Sequence, residues 1–241
     1  MEEHTPPIRK VDIASFSQYV ELTSGNGRRR LTTIYRGQPV QGNLLPSLAR
    51  VGSDGKVVGD QESFEKKRLE KFRLLAASLL PANASFEELR IIAQHYTLKT
   101  TLLDWSGNAL AALWFACSGA YANKSRAYVY SIHASRDMLR NARRSKEDDF
   151  PHSGETGIIR PPHNNARVAA QDGWFTIHRF NTQEDRYVPL EQDPAVKELV
   201  EYTIPAFLAP RMLVALSRMG ITQRSLFPDL EGICKHINTG Y

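Results

Sequence analysis

Apolar and polar positions along the chain switch repeatedly between a helical and a strand period. Ile13, Phe16, Val20 and Leu22 predict a first helix from Ile13 to Leu22, closed by Ser24-Gly25-Asn26-Gly27. The run Leu31 to Tyr35 predicts a short strand leading straight into Arg36-Gly37-Gln38-Pro39. Asn43 to Arg50 reads as a loop around Pro46, and Val51 to Asp60 as a surface excursion or hairpin. Gln61 to Leu80 predicts a long amphipathic helix, with Phe64, Leu69, Phe72, Leu75, Ala76 and Leu79 near one face and Pro81 after its end. Ser85-Phe86-Glu87-Glu88 has the form of a capping box, in which the serine hydroxyl and the second glutamate each satisfy a free backbone N–H. It opens a helix through Leu89, Ile92, Ala93 and Tyr96.

Thr100 to Leu103 is strand-like, and Asp104-Trp105-Ser106-Gly107-Asn108 reads as a turn that caps the next helix. That helix, Ala109 to Ser118, is apolar nearly all round and is predicted to be buried. Ala127 to His133 alternates as a strand does, and so does Trp174 to His178. Between them, Met138 to Asn165 is a long polar stretch with Arg143-Arg144, Asp148-Asp149 and Pro161-Pro162 and reads as an ordered loop or a mobile lid. Val196 to Ile204 predicts a helix end and a further strand, and Pro210 to Met219 a helix with proline at its start and Gly220 past its end. Thr222 opens a terminal helical region broken at Pro228. The order lacks a βαβα rhythm. It predicts an α+β fold, a central mixed or mainly antiparallel sheet flanked by helices, in one domain over residues 1–241.

Composition narrows the setting. A 41% hydrophobic content is enough for a sizeable core, and a net charge of +5 permits an anionic partner without requiring one. Cys117 and Cys234 both stand at apolar, helix-spaced positions with no nearby cysteine. They read as small buried residues, which points to a reducing, cytoplasmic location. No leader is evident at Met1-Glu2-Glu3-His4, and no apolar run reaches the ~20 residues of a membrane span, so no membrane association is expected.

Candidate chemistry concentrates in two places. Arg36 at a strand end, followed by Gly37, can aim its rigid fork of donors at a phosphate or carboxylate, while the glycine lets a ligand approach the backbone. Gln38 adds an amide that can read a base edge or close a turn. The second place runs from His95-Tyr96 through Thr100, Thr101, Asp104, Trp105 and Ser106. Asp104 can pair with Arg36, cap the following helix, or do both; Trp105 can stack on a base or fill the core. Ser106 and Asn108 stand at a helix N-terminus, whose free N–H groups favour an anion. The plain structural alternative is a capped helix with an Arg36–Asp104 bridge. Arg28-Arg29-Arg30 and Arg143-Arg144 are available for phosphate contacts with nucleic acid. No His/Cys spacing suits a metal, and none is expected.

Ile34-Tyr35-Arg36-Gly37-Gln38 with Leu44-Leu45-Pro46-Ser47-Leu48 resembles the motif that names the FRG domain family, with tyrosine where the name carries phenylalanine. Ala93-Gln94-His95-Tyr96, Thr100, Leu102-Leu103-Asp104-Trp105-Ser106 and Ala111 to Cys117 resemble its central signature. Arg167 to Thr176 and Leu226 to Gly232 resemble its later blocks, so the likeness spans about residues 30–235. Two positions depart from the family: Thr97-Leu98-Lys99 replaces the usual Gly-Leu-Pro, and Thr101 a usual basic residue.

A strand ending in Tyr-Arg-Gly is also similar, more distantly, to the first strand of ADP-ribosyltransferases of the Arg/Ser/Glu class. That likeness implies NAD as cofactor, with Arg36 on its phosphates and Thr101 or Ser106 on a ribose. Trp105 would lie near the nicotinamide, and Gln171 would stand where the class carries its catalytic glutamate. An amide there brings no negative charge to an oxocarbenium-like transition state. The implied partner is a nucleotide or other phosphate-bearing ligand; the alternative is a non-enzymatic module for nucleic acid or a protein tail.

Overall fold

The computed structural model describes residues 8–25, 32–42, 44–50, 61–134, 136–140, 156–162, 165–184 and 186–239. The excursion Val51–Asp60, the basic pairs and triplets Arg28–Arg30 and Arg143–Arg144, and His4 lie outside them.

The strands are β1 Arg9–Asp12, β2 Thr32–Gln38, β3 Leu102–Ser106, β4 Ala127–Ala134, β5 Leu139–Arg140, β6 Gly157–Ile159, β7 Gly173–Ile177, β8 Phe180–Asn181, β9 Arg186–Tyr187 and β10 Leu199–Ile204. The helices are α1 Phe16–Ser24, α2 Gln61–Leu75, α3 Phe86–His95, α4 Ala109–Asn123, α5 Ala166–Ala170, α6 Ala209–Arg218, α7 Gln223–Leu226 and α8 Leu230–Thr239. Eight strands form one sheet in the order β1-β10-β4-β2-β3-β7-β6-β5, and β8 and β9 make a separate hairpin. Among the described residues only the two outer pairs, β1 with β10 and β5 with β6, are parallel. The fold is α+β with a mixed, mainly antiparallel sheet.

One face of the sheet packs against helices. Tyr35, Val129, Tyr202 and Ile204 meet Ala112, Leu113 and Ala116 of α4, Met212 and Leu216 of α6, and Tyr19 of α1. Further along the same face, Leu102, Phe175 and Ile159 meet Ile91 of α3. The other face, with Ile34, Leu103, Trp105, Tyr130, Ile132 and Trp174, is closed by segments outside the sheet through Leu44, Leu190 and Val196. Alternation along each strand puts successive side chains on opposite faces, and that rule decides the site.

Several elements differ from the sequence expectation. Strand β1 was hidden, because four residues with only Val11 as an apolar member carry no period; its parallel pairing to β10 fixes it. The first helix begins at Phe16, since the Ser15 hydroxyl accepts from the Gln18 N–H, and Ile13 lies before the cap, buried. Helix α2 stops at Leu75, so Leu75 and Leu79 stand 77% and 85% exposed instead of continuing its packed face. The polar stretch 138–165 contributes β5 and β6 to the sheet. Residues 196–198 carry no helix end. The capping box of α3 is present as expected, and α4 is longer than expected, ending at Asn123 with Lys124 in the left-handed region. Cys117 is buried, and burial pushes its thiol up to about 12, whereas Cys234 is exposed. Helix α8 turns Gly232 inward against Phe227, which leaves the Leu230–Ile237 stripe facing outward. No helix among the described residues is long and apolar enough to cross a membrane.

Candidate ligand site at the β2–β3 seam

β2 runs beside β4 from Thr32 to Gln38, and β3 beside β7 from Leu102 to Ser106. Between β2 and β3 the ladder has one register pair, Tyr35 opposite Ser106. The sheet is therefore two halves joined at a narrow seam, with Arg36 just beyond the joint. Two corrections follow. β2 runs on through Arg36 and Gly37 to Gln38 instead of ending at Tyr35, and Asp104-Trp105-Ser106 is strand, not a turn. Asn108 alone caps α4, its Oδ1 accepting from the Leu110 and Ala111 N–H groups.

Gly37 is needed for close approach. A Cβ there would lie 1.8 Å from the Ala112 carbonyl oxygen and 2.7 Å from the Ala116 nitrogen, so α4 rests directly on the strand. Tyr35 and Gly37 thus face α4. Arg36, by alternation, faces the other way, with Ile34 and Trp105. On β3, Leu102 packs with α3 while Leu103 and Trp105 lie in the opposite core, so the Asp104 side chain is on the α3–α4 face.

The expected Arg36–Asp104 carboxylate bridge is accordingly not formed, because the pleat sends the two side chains to opposite faces. Arg36 donates through Nη1 to the Asp104 carbonyl oxygen at 2.7 Å and through Nε to Gln38 Oε1 at 3.2 Å. The Asp104 carboxylate instead accepts from Gln94 Nε2 of α3 at 2.9 Å. Gln94 is held in turn: its Nε2 also donates to the Leu102 carbonyl at 3.2 Å, and its Oε1 accepts from the buried Thr100 hydroxyl. Among the described residues Nη2 of Arg36 has no hydrogen-bond partner, and the side chain is half-buried.

A second cation stands close by. Arg50 closes a loop fixed at both ends: Leu44 N–H donates to the Glu191 carboxylate at 3.1 Å, and Leu48 N–H to the Thr100 carbonyl at 3.2 Å. Its Nε donates to the Leu45 carbonyl at 2.7 Å. Burial draws the Arg36 guanidinium down to about 10; Asp104 opposes that, and Arg50 adds to it by like-charge repulsion. Arg36 stays charged at neutral pH. Burial lowers Arg50 too, again opposed by Asp104.

Beneath the pair lies His178, brought down to about 3 chiefly by burial, with Arg36 and Arg50 disfavouring its cation. Its tautomer follows from its neighbours. The Trp105 indole donates to Thr176 Oγ1 at 3.0 Å, Thr176 Oγ1 lies 3.1 Å from His178 Nε2, and His178 Nδ1 lies 3.2 Å from the Val188 carbonyl. A carbonyl only accepts, so Nδ1 carries the proton and Nε2 accepts from Thr176.

The remaining predicted residues divide. Trp105 is 4% exposed and fills the core. Thr101 is fully buried in an ionic cluster: its N–H and hydroxyl donate to the two Glu65 oxygens at 2.8 and 2.7 Å, and Arg90 Nη1 donates to its Oγ1 at 2.9 Å. Ser106 donates to the Gln171 and Asn108 carbonyls, and Gln171 spends its amide on the Leu226 carbonyl at 3.0 Å. His95, in edge contact with the exposed Tyr96, has its pKa lowered by burial and then by Arg167, with Asp229 and Asp104 opposing. Arg167 ties the two late sequence blocks together, donating to Asp229 at 2.5 Å and Glu231 at 3.2 Å over the Phe227 ring.

Sequence reasoning missed Arg50, Gln94 and His178 as members of the site. The signal for Gln94 was its place beside His95 in the quoted motif; nothing in the linear order links Arg50 or His178 to Arg36.

No curated protein and no solved structure matches the chain. Residues 32–125, from the first residue of β2 to just past α4, match the model of the FRG domain.

Proposed function

We propose that the chain binds a phosphate-bearing ligand, such as NAD or another nucleotide, at the β2–β3 seam. The observation that carries this reading is the Arg36 guanidinium. It is fixed by two neutral acceptors, has no hydrogen-bond partner for Nη2 among the described residues, and feels a second cation, Arg50, while the Asp104 carboxylate lies on the opposite face of the sheet bonded to Gln94. Two cations and a planar donor fork are what a diphosphate takes. Calorimetry with NAD and ADP tests it. Binding that weakens about tenfold to a hundredfold in Arg36→Ala is the expected result. No binding of either nucleotide would remove the reading.

Transfer of ADP-ribose is the narrower possibility, and local geometry favours binding without it. Gln171 has its amide engaged with the Leu226 carbonyl and carries no charge; Ser106 and Thr101 have their hydroxyls engaged too. Nicotinamide release from NAD by the purified chain, absent in Arg36→Ala, would restore the transferase or NAD hydrolase reading. A nucleic-acid ligand is distinguished by salt, because its apparent affinity falls steeply as counterions compete.

A further inference from the structure

We infer that Gly107, Asp172 and Trp174 form a second ligand site, a cradle for a sugar hydroxyl, and that Arg160 at its rim receives the phosphate of a phosphorylated sugar. Trp174 is 5% exposed, and its indole Nε1 is buried with no hydrogen-bond partner among the described residues. A buried N–H without an acceptor is costly and rare. Trp105, its cross-strand neighbour, spends its own indole N–H on Thr176.

The cradle is built where the β3–β7 ladder ends. Ser106 pairs with Gly173, and the Gly107 N–H then donates to the Asp172 carbonyl at 2.7 Å. Asp172 takes φ 43°, a left-handed conformation that aspartate adopts more readily than most residues. Its carboxylate reaches over Gly107. A Cβ on Gly107 would stand 1.9 Å from Asp172 Oδ2 and 3.1 Å from Trp174 Nε1, so the two atoms converge where any side chain would intrude. They are close enough for one oxygen to bridge them with ordinary hydrogen bonds. The indole offers a proton and the carboxylate accepts one. An anion in the cradle would be repelled by Asp172, and an ammonium could not accept from the indole. A hydroxyl does both at once. A carboxylate oxygen has more than one lone pair, so Asp172 can take this bond beside any other that it makes. The Arg160 guanidinium lies 5.1 Å from the centroid of the Trp174 ring and 3.9 Å from Asp172 Oδ1. It is exposed and donates no hydrogen bond among the described residues, so its planar fork can turn to a phosphate.

The test watches the Trp174 indole itself. Isotope-labelled tryptophan gives one indole N–H signal per residue in a two-dimensional NMR spectrum, and Trp174→Phe identifies the signal that belongs to Trp174. Titration with ribose 5-phosphate should move that signal to saturation, ribose alone should move it at higher concentration, and inorganic phosphate should not. Asp172→Asn keeps a residue that tolerates the left-handed turn and should weaken ribose 5-phosphate about tenfold, the scale of a hydrogen bond to a charged acceptor. Gly107→Ala should abolish the shift; if that variant does not fold, Asp172→Asn carries the test. Arg160→Ala should weaken ribose 5-phosphate about threefold and leave ribose unchanged. If neither sugar moves the signal, or Asp172→Asn binds as wild type does, the cradle is not a sugar site. If inorganic phosphate moves it as ribose 5-phosphate does, the site reads the anion and the hydroxyl assignment is overturned. If Arg160→Ala binds ribose 5-phosphate as wild type does, Arg160 does not receive the phosphate.

Discussion

Arg90 and Arg36 both reach β3 or the residue before it with a guanidinium, but different acceptors receive them. Arg90, on α3, is 1% exposed and meets two carboxylates: Glu87 directly and Glu65 at 3.9 Å, with Thr101 between. Glu65 comes from α2, so this cluster pins α2, α3 and the start of β3 together. Arg36 meets a carbonyl and an amide oxygen and shares its neighbourhood with a second arginine. The first region has one cation for two carboxylates, sealed from water; the second has two cations for one carboxylate, at a half-open seam. An arginine matched by carboxylates inside the protein is committed to structure. One positioned by neutral groups keeps its charge for something else.

The contrast can be broken most forcefully at Arg90. Arg90→Met leaves Glu65 and Glu87 buried without their cation and should cost about 3–5 kcal/mol, read as a lowered urea midpoint. Arg36→Met should cost no more than about 1–2 kcal/mol, the scale of its two hydrogen bonds, while removing ligand binding. Equal losses would erase the distinction.

Protons probe the Arg36 side next. The folded value of His178, about 3, lies below the ordinary 6.5 of imidazole. Above pH 6.5 the folded and unfolded chains both hold it neutral, and its contribution is complete. As pH falls from 6.5 toward 3, the unfolded chain takes up a proton that the folded chain refuses. Stability should then drop by roughly 1.4 kcal/mol per pH unit from this group. Denaturation at a series of pH values, with His178→Asn flattening the slope, checks it.

Gly37→Ala should cost about 1–3 kcal/mol, because the new Cβ meets backbone of α4 and no side chain can yield; thermal melts report it. The smallest effect sharpens the comparison most. Asp104→Asn should change stability by less than about 0.5 kcal/mol, since Arg36 holds the carbonyl. A loss of several kcal/mol would mean a carboxylate bridge after all.

α3, β4 and α6 were legible because their apolar residues keep period, and α4 because its long run is apolar nearly all round. Caps were legible where a local rule applies, as at Ser85 and Thr222. β1, β5 and β6 were not, since strands of two to four residues are defined by their neighbours and carry no signal of their own. Arg36 stood out by its residue type and the glycine beside it. Its true partners did not, because which face a side chain takes depends on pairing register, and register across β2 and β3 rests on one residue pair. The same blindness produced the expected Arg36–Asp104 bridge: the two residues are compatible in charge, and only the pleat separates them.

That single pair at Tyr35 and Ser106 also bears on how the molecule carries load. Rungs run continuously through each half of the sheet and thin to almost nothing between them, so shear applied across the strands concentrates along one line. A ligand clasping Arg36 on one side and β3 on the other would supply the rungs the ladder lacks. Occupancy of the site and mechanical unity of the sheet would then rise and fall together.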